Sequence, residues 1–290
     1  MKNSRMSVPA RSGFTLVELL VVMTIIAVLA AMLMATLGKA KLKAQGIHCL
    51  NNHRQLTVAW RMYAEDSHDA LVYASDDPGD PTLPPPGYAV LDQYAWTLSH
   101  MNLTSARWNW DINYDMILRP LWPYAKNAGI YKCPADHSTV NVGGAIKPRI
   151  RTMAMNCYVG GFDGTDGHWP FAAPYWIYSK ISHLSGSAGP PDKIFVFLDE
   201  RDDRINWGNF MADMTGYDPM QPALWGFTED LPGYYHNRAC GFSFADGHSE
   251  LHKWRDPRTI PAYDPYNQSP TNSARNQDVY WLQDHSTRRK

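Results

Sequence analysis

The sequence predicts an α+β fold in which a long N-terminal helix, transmembrane in its first half, packs on an antiparallel β-sheet carrying large loop insertions. Three observations lead there. An apolar run from Phe14 to Leu37 passes without proline into an amphipathic stretch that reaches Asp66. Two alternating apolar segments flank Asp246-Gly247 late in the chain. Between them lie long segments rich in Gly, Pro and aromatic residues, with no internal repeat.

The first element is a membrane-spanning half-helix. Residues 1–13 form a basic leader with Lys2, Arg5 and Arg11, and the apolar run occupies 14–37. At about 1.5 Å per residue it extends roughly 36 Å, enough to cross a bilayer. Positive charge before the span holds the leader in the cytoplasm and sends the rest outward. Glu18 lies inside this run; unpaired at that depth, a carboxylate costs about 2–3 kcal/mol, so it requires a partner. Lys39, Lys41 and Lys43 follow as an interfacial cluster.

Residues 38–66 continue the helix. Leu56, Ala59, Trp60 and Tyr63 recur at helical spacing and form one apolar stripe, while Gly38 and Gly46 are points of weakness. The globular domain is expected over 67–254. Asp76 to Gly87 reads as an exposed Pro/Gly loop, and Ile117–Tyr124 as a short helix limited by Pro123. Strands are expected within Arg149–Val159 and over Lys193–Leu198. Gly241–Ala245 and Ser249–Trp254 alternate about an Asp-Gly turn and make a hairpin. Residues 255–290 are mostly polar, although Tyr280-Trp281-Leu282 can dock back.

The chain has 290 residues, net charge −1 and pI near 6.8, so no basic face for nucleic acid is implied. Cys49, Cys133, Cys157 and Cys240 form no C-x-x-C pair, which argues against a zinc ribbon. In an oxidising compartment an even count is compatible with disulfides, and four cysteines allow three pairings. The pairing carried forward is Cys49–Cys133 with Cys157–Cys240; buried free thiols are the alternative.

The basic leader, the Gly13-Phe14 junction and Glu18 four residues beyond Phe14 resemble the signature of type IV prepilins and type II secretion pseudopilins. The resemblance implies that a prepilin peptidase cuts after Gly13 and methylates Phe14. It implies further that Glu18 neutralises the N-terminal amine of a neighbouring pilin-like subunit. The chain would then be a single-pass inner-membrane protein with a periplasmic or extracytoplasmic domain, in a filament if it polymerises. The alternatives are a plain membrane anchor or a secretory signal cleaved at Ala27-Val28-Leu29-Ala30, and against the latter Glu18 and the continuing apolar run both argue.

His236, nine intervening residues and Asp246-Gly247 resemble the prepilin-type processing-associated His-x9-Asp-Gly domain. Cys49-Leu50-Asn51-Asn52, Tyr131-Lys132-Cys133-Pro134 and Met155-Asn156 agree with that family; Cys157 and Cys240 depart from it. On the residues alone, Asp246 accepts turn hydrogen bonds and Gly247 supplies positive φ.

Asp199, Glu200 and Asp202 follow a buried strand, and with Asp246 they form a candidate calcium site, since oxygen ligands suit calcium and pseudopilins resembling this chain hold it beside the sheet. Arg201 and Arg204 interleave with these acids, so a solvated salt-bridge cluster is the competing reading. No other cofactor is expected. Asp163–Gly167 fails as an EF-hand because Pro174 stands at position twelve. Ser243, His236 and Asp246 can be drawn as a triad, but ordinary strand packing accounts for Ser243, and no enzyme activity is expected. Trp108, Trp110 and Tyr114, or Trp169, Tyr175 and Trp176, could stack on sugars or simply anchor loops. The expected function is a structural pilin-like subunit; the alternative is a membrane-anchored extracytoplasmic binding protein, for carbohydrate among other ligands, that does not polymerise.

Overall fold

The structure is a computed structural model and describes residues 13, 15–75, 94–97, 101–162, 164–165, 169, 171–267 and 269–290. Phe14, the Asp76-to-Gly87 loop and most of the Asp163–Gly167 segment lie outside the described residues. The class is α+β, as the sequence predicts. The chain divides into two compact units, Met1–Lys43 and Ala44–Lys290.

Helix α1 spans Leu16–Asp66, 51 residues, and passes Gly38 and Gly46 without a break. It is long and apolar enough to cross a membrane, and its large apolar side chains from Leu16 to Leu37, Val17, Leu20 and Met34 among them, are exposed. Past Asp66 the helix ends without a glycine. His68 and Asp69 adopt left-handed φ of 54° and 73°, and the Asp69 amide donates back to the Ala64 carbonyl at 2.9 Å.

Among the described residues of the second unit, nine strands follow: β1 Thr139–Val142, β2 Ala145–Pro148, β3 Met153–Asn156, β4 Phe195–Asp199, β5 Asn209–Phe210, β6 Gly226–Phe227, β7 Ala239–Phe244, β8 Ser249–Lys253 and β9 Thr271–Asn272. The main sheet has the order β5-β3-β4-β7-β8. It is antiparallel apart from its β5 edge, which pairs parallel to β3. The expected hairpin is β7–β8, in register from Ala239↔Lys253 to Ser243↔Ser249. The helix expected over Ile117–Tyr124 splits into a 3-10 turn, Met116–Leu118, and the one-turn helix α2, Trp122–Ala125, with Pro123 in the first turn where its missing N–H costs nothing.

The sheet is covered on both faces. One core joins Cys49, Leu56 and Trp60 of α1 to Met153, Met155, Val196, Phe197 and Ala245. The other joins Ala154, Phe195, Leu198, Phe242 and Phe244 to Val279 and Leu282 of helix α3, Gln277–Asp284. Within the mostly polar residues 255–290, α3 packs into this second core. Asn276 caps α3 by accepting from the Asp278 amide, and Trp281 stacks on His252 with ring centroids 3.7 Å apart.

A β-bulge decides what faces α1. Strict alternation along β4 would place Phe195, Phe197 and Asp199 on one face. The β4–β7 register shifts between Phe195 and Phe197, so Phe195 packs in the α3 core and Phe197 in the α1 core. Leu198 then returns to the α3 side, and Asp199 is aimed at α1.

Candidate functional site

In the first unit, the chemistry lies at the start of α1. Thr15 and Glu18 form a capping box: the Thr15 amide and hydroxyl donate to Glu18 Oε2 at 2.9 and 2.7 Å, and the Glu18 amide donates to Thr15 Oγ1 at 3.2 Å. Glu18 thus has a partner inside its own chain. The Thr-x-x-Glu spacing ahead of an apolar run was the sequence signal for it. Gly13, the residue before the proposed scissile bond, is exposed, and a Cβ built on it would meet none of the described residues within 4 Å.

In the second unit, four side chains from separate parts of the chain converge in the interior: Cys49, Cys133, Asp199 and His236, with ligand-capable atoms all within 4.8 Å of one another. Each is supplied by a specific local device. Cys49, with His53 one turn on, lies on the buried stripe of α1. Cys133 follows the 3-10 turn Ala128–Tyr131, which Asn127 caps by accepting from the Gly129 amide. The bulge in β4 delivers Asp199. His236 precedes a tight turn through Asn237 and Arg238, both at left-handed φ (56° and 66°), and its amide donates to the Ala239 carbonyl at the head of β7.

Asp199 is the hub. Its Oδ2 accepts from the Cys49 thiol at 3.1 Å and from the Gly241 amide at 3.1 Å; its Oδ1 lies 3.3 Å from His53 Nε2. His236 Nε2 lies 3.2 Å from Cys133 Sγ and 3.7 Å from Asp199 Oδ2. The Cys240 thiol donates to the Asp199 carbonyl at 3.1 Å. A Cβ on Gly241 would fall 2.8 Å from both Asp199 Oδ2 and His53 Nε2, so only glycine fits in β7 at this point. Burial would raise the Asp199 carboxyl, but the charge of His53 and the hydrogen bonds from His236 and His53 outweigh it and hold it well below the usual range. For His236, burial works downward and is outweighed by hydrogen bonds to Asp199 and Cys133, which push it up to about 10. Burial, reinforced by Cys133 and Asp199, pushes the Cys49 thiol well up.

Several expected groupings are not formed. The four buried cysteines form no disulfide with one another, so neither Cys49–Cys133 nor Cys157–Cys240 is a disulfide. Cys49 instead donates to Asp199, Cys133 meets His236, and Cys240 donates to a backbone carbonyl. The calcium set disperses for a related reason. Glu200 is buried beside Asp230 and Arg151, and burial and Asp230 push it well up. Asp202 lies near Arg149 and Asp136, and Asp246 is exposed at the hairpin tip with His248 Nδ1 at 2.6 Å. Arg201 and Asp203 form a bidentate pair at 2.7 and 2.8 Å that is fully buried rather than solvated.

The triad does not assemble either: His236 faces Cys133 and Asp199, and Ser243 Oγ is buried without a hydrogen-bond partner. Asp246 serves the turn, accepting from the His248 amide at 3.0 Å, while Gly247 takes φ of 98°. Of the aromatic residues considered for sugar binding, Trp110 is covered by Lys147 Nζ at 3.5 Å and Tyr175 is buried. His53 was not foreseen; its spacing of four from Cys49 on one helix face was the available signal.

In comparison with known families, residues 9–34 match the prokaryotic N-terminal methylation motif. This supports a prepilin-like, processed protein, and together with the apolar α1 it fits a single-pass membrane anchor. No curated protein and no solved structure matches the chain.

Proposed function

We propose that this chain is a structural pilin-like or pseudopilin subunit of a type II secretion or pilus-like system. In this reading a prepilin peptidase cuts after Gly13 and methylates Phe14, and the product is held in the inner membrane by α1 with residues 67–290 outside the cytoplasm. The observation that carries the reading is the methylation motif over residues 9–34, which coincides with the start of an exposed apolar helix. Glu18 supports it in a specific way. Thr15 occupies only Oε2, and a carboxylate offers further acceptor positions on Oε1 for the N-terminal amine of an adjacent subunit. Such pairing offsets the cost of a charge in lipid for both groups. No catalytic step is assigned to the chain.

Glu18→Ala tests assembly. Cleavage and methylation proceed normally while incorporation into the pilin-like complex falls at least tenfold, on the order of 1.4 kcal/mol of lost assembly energy. Unchanged incorporation favours the second reading, a membrane-anchored binding protein. That reading rests on an open cleft of about 550 Å³ lined by Asn102, Asp202, Asn206, Trp207, Glu229 and Tyr266, a mixture of carboxylates, amides and rings suited to a polar ligand such as a carbohydrate.

A further inference from the structure

We propose that Cys49, Cys133, Asp199 and His236 form a closed, structural zinc site at the centre of the Ala44–Lys290 unit. Among the described residues these four side chains are placed to hold a metal ion, one ligand atom from each lying within 4.8 Å of the others. The proposal is independent of whether the chain polymerises.

The four donors are spaced closely enough to contract into a tetrahedral shell. Metal–sulfur bonds of about 2.3 Å and metal–nitrogen or metal–oxygen bonds of about 2.0–2.1 Å set donor–donor edges of roughly 3.3–3.8 Å. The observed edges are 3.1 Å from Cys49 Sγ to Asp199 Oδ2, 3.2 Å from Cys133 Sγ to His236 Nε2, and 3.7 Å from His236 Nε2 to Asp199 Oδ2. The remaining edges reach no more than 4.8 Å, so side-chain shifts of up to about 1 Å bring these donors onto one ion. Two thiolates, an imidazole and a carboxylate oxygen suit zinc better than calcium or magnesium, which take oxygen ligands. Cys49, Cys133 and Asp199 are fully buried and His236 is 6% exposed, so no coordination position is left open to water or substrate. That marks a structural rather than a catalytic site.

The surroundings are built to hold the carboxylate in place. With Oδ2 on the metal, Oδ1 stays on His53 Nε2, and the Gly241 amide fixes the carboxylate from β7. His53 and Gly241 therefore orient the ligand without touching the ion. His236 Nδ1 makes no hydrogen bond, while Nε2 is the ring nitrogen aimed into the cluster. The four ligands come from α1, the loop after the 3-10 turn at Ala128–Tyr131, the end of β4 and the turn before β7. One ion would tie all four together, which also explains why thiols this close stand unpaired in the fold.

The test uses the full chain in detergent, stripped with a chelator under reducing conditions and dialysed against zinc ion. The expected uptake is about one zinc per chain, with cobalt substitution giving the intense thiolate-to-metal absorption of a tetrahedral site. Cys133→Ser and His236→Ala each lower affinity well over tenfold. His53→Ala lowers it by about 10–100-fold through the carboxylate it orients. Cys157→Ser, in the opposite core, leaves uptake unchanged. A wild-type chain that is folded by circular dichroism yet binds less than roughly a tenth of a zinc overturns the proposal. So does uptake that survives both ligand substitutions, or a Cys49–Cys133 disulfide recovered from cells lysed with thiols blocked.

Discussion

Asp230 accepts hydrogen bonds from the Met211 amide at 2.7 Å and Asn206 Nδ2 at 3.1 Å, and burial still pushes its carboxyl up to about 7. Its folded-state value is therefore above its unfolded one of about 3.9, so the folded chain binds the extra proton between those limits. The stability this group contributes is fully present below about pH 4 and is lost as pH rises through about 7. Asp230→Asn removes the titration. Denaturant melts of variant and wild type compared at pH 4 and pH 8 show the difference moving in the variant's favour by about 2–4 kcal/mol as pH rises; a difference that does not change with pH contradicts this. Arg201 belongs at the same scale. Arg201→Ala takes the bidentate cation from the buried Asp203 carboxylate, which keeps the Asp264 amide as a donor at 2.8 Å, and costs about 3–5 kcal/mol by the same melts, whereas a cost below about 0.5 kcal/mol would mean the pair is solvated after all. The alternating acids and arginines of 199–204 were visible in the sequence; their burial was not. It depends on a distant segment, whose Pro261 carbonyl accepts from Arg201 Nη1 at 3.0 Å.

The elements that the sequence revealed best are those with long periodicity. The stripe of α1 and the β7–β8 hairpin follow from spacing alone, because each buries one face at a fixed repeat. Leu56 lies on that stripe, fully buried, while Val58 two residues on is half exposed. Leu56→Ala is expected to cost about 2–5 kcal/mol in the Ala44–Lys290 unit and Val58→Ala within about 0.5 kcal/mol. Equal costs in thermal unfolding would mean that α1 does not pack on the sheet by this face. The candidate site was less legible because it hangs on departures from periodicity. Regular alternation assigns Asp199 to the face of Phe195, and the bulge in β4 reverses it. His236 depends on two non-glycine residues at positive φ, Asn237 and Arg238, for which the sequence gives weak notice. The expected Cys49–Cys133 disulfide is not formed, because the two thiols engage a carboxylate and an imidazole from far along the chain that cysteine spacing does not reveal.

For the whole molecule, two kinds of information separate along the chain. The first unit carries the methylation motif and an exposed apolar helix with a capped start, features that concern membrane and assembly. The second unit is a doubly covered sheet whose interior holds the thiol–imidazole–carboxylate cluster, and the C-terminal α3 completes it. The central claim is that the chain is a processed, prepilin-like protein, and the N-terminal mass of the mature chain tests it most directly. Intact-protein and N-terminal peptide mass spectrometry of the membrane fraction should find a chain beginning at N-methylated Phe14. A chain beginning at Ala31, or one retaining Met1 and the basic leader in cells with an active prepilin peptidase, would contradict it.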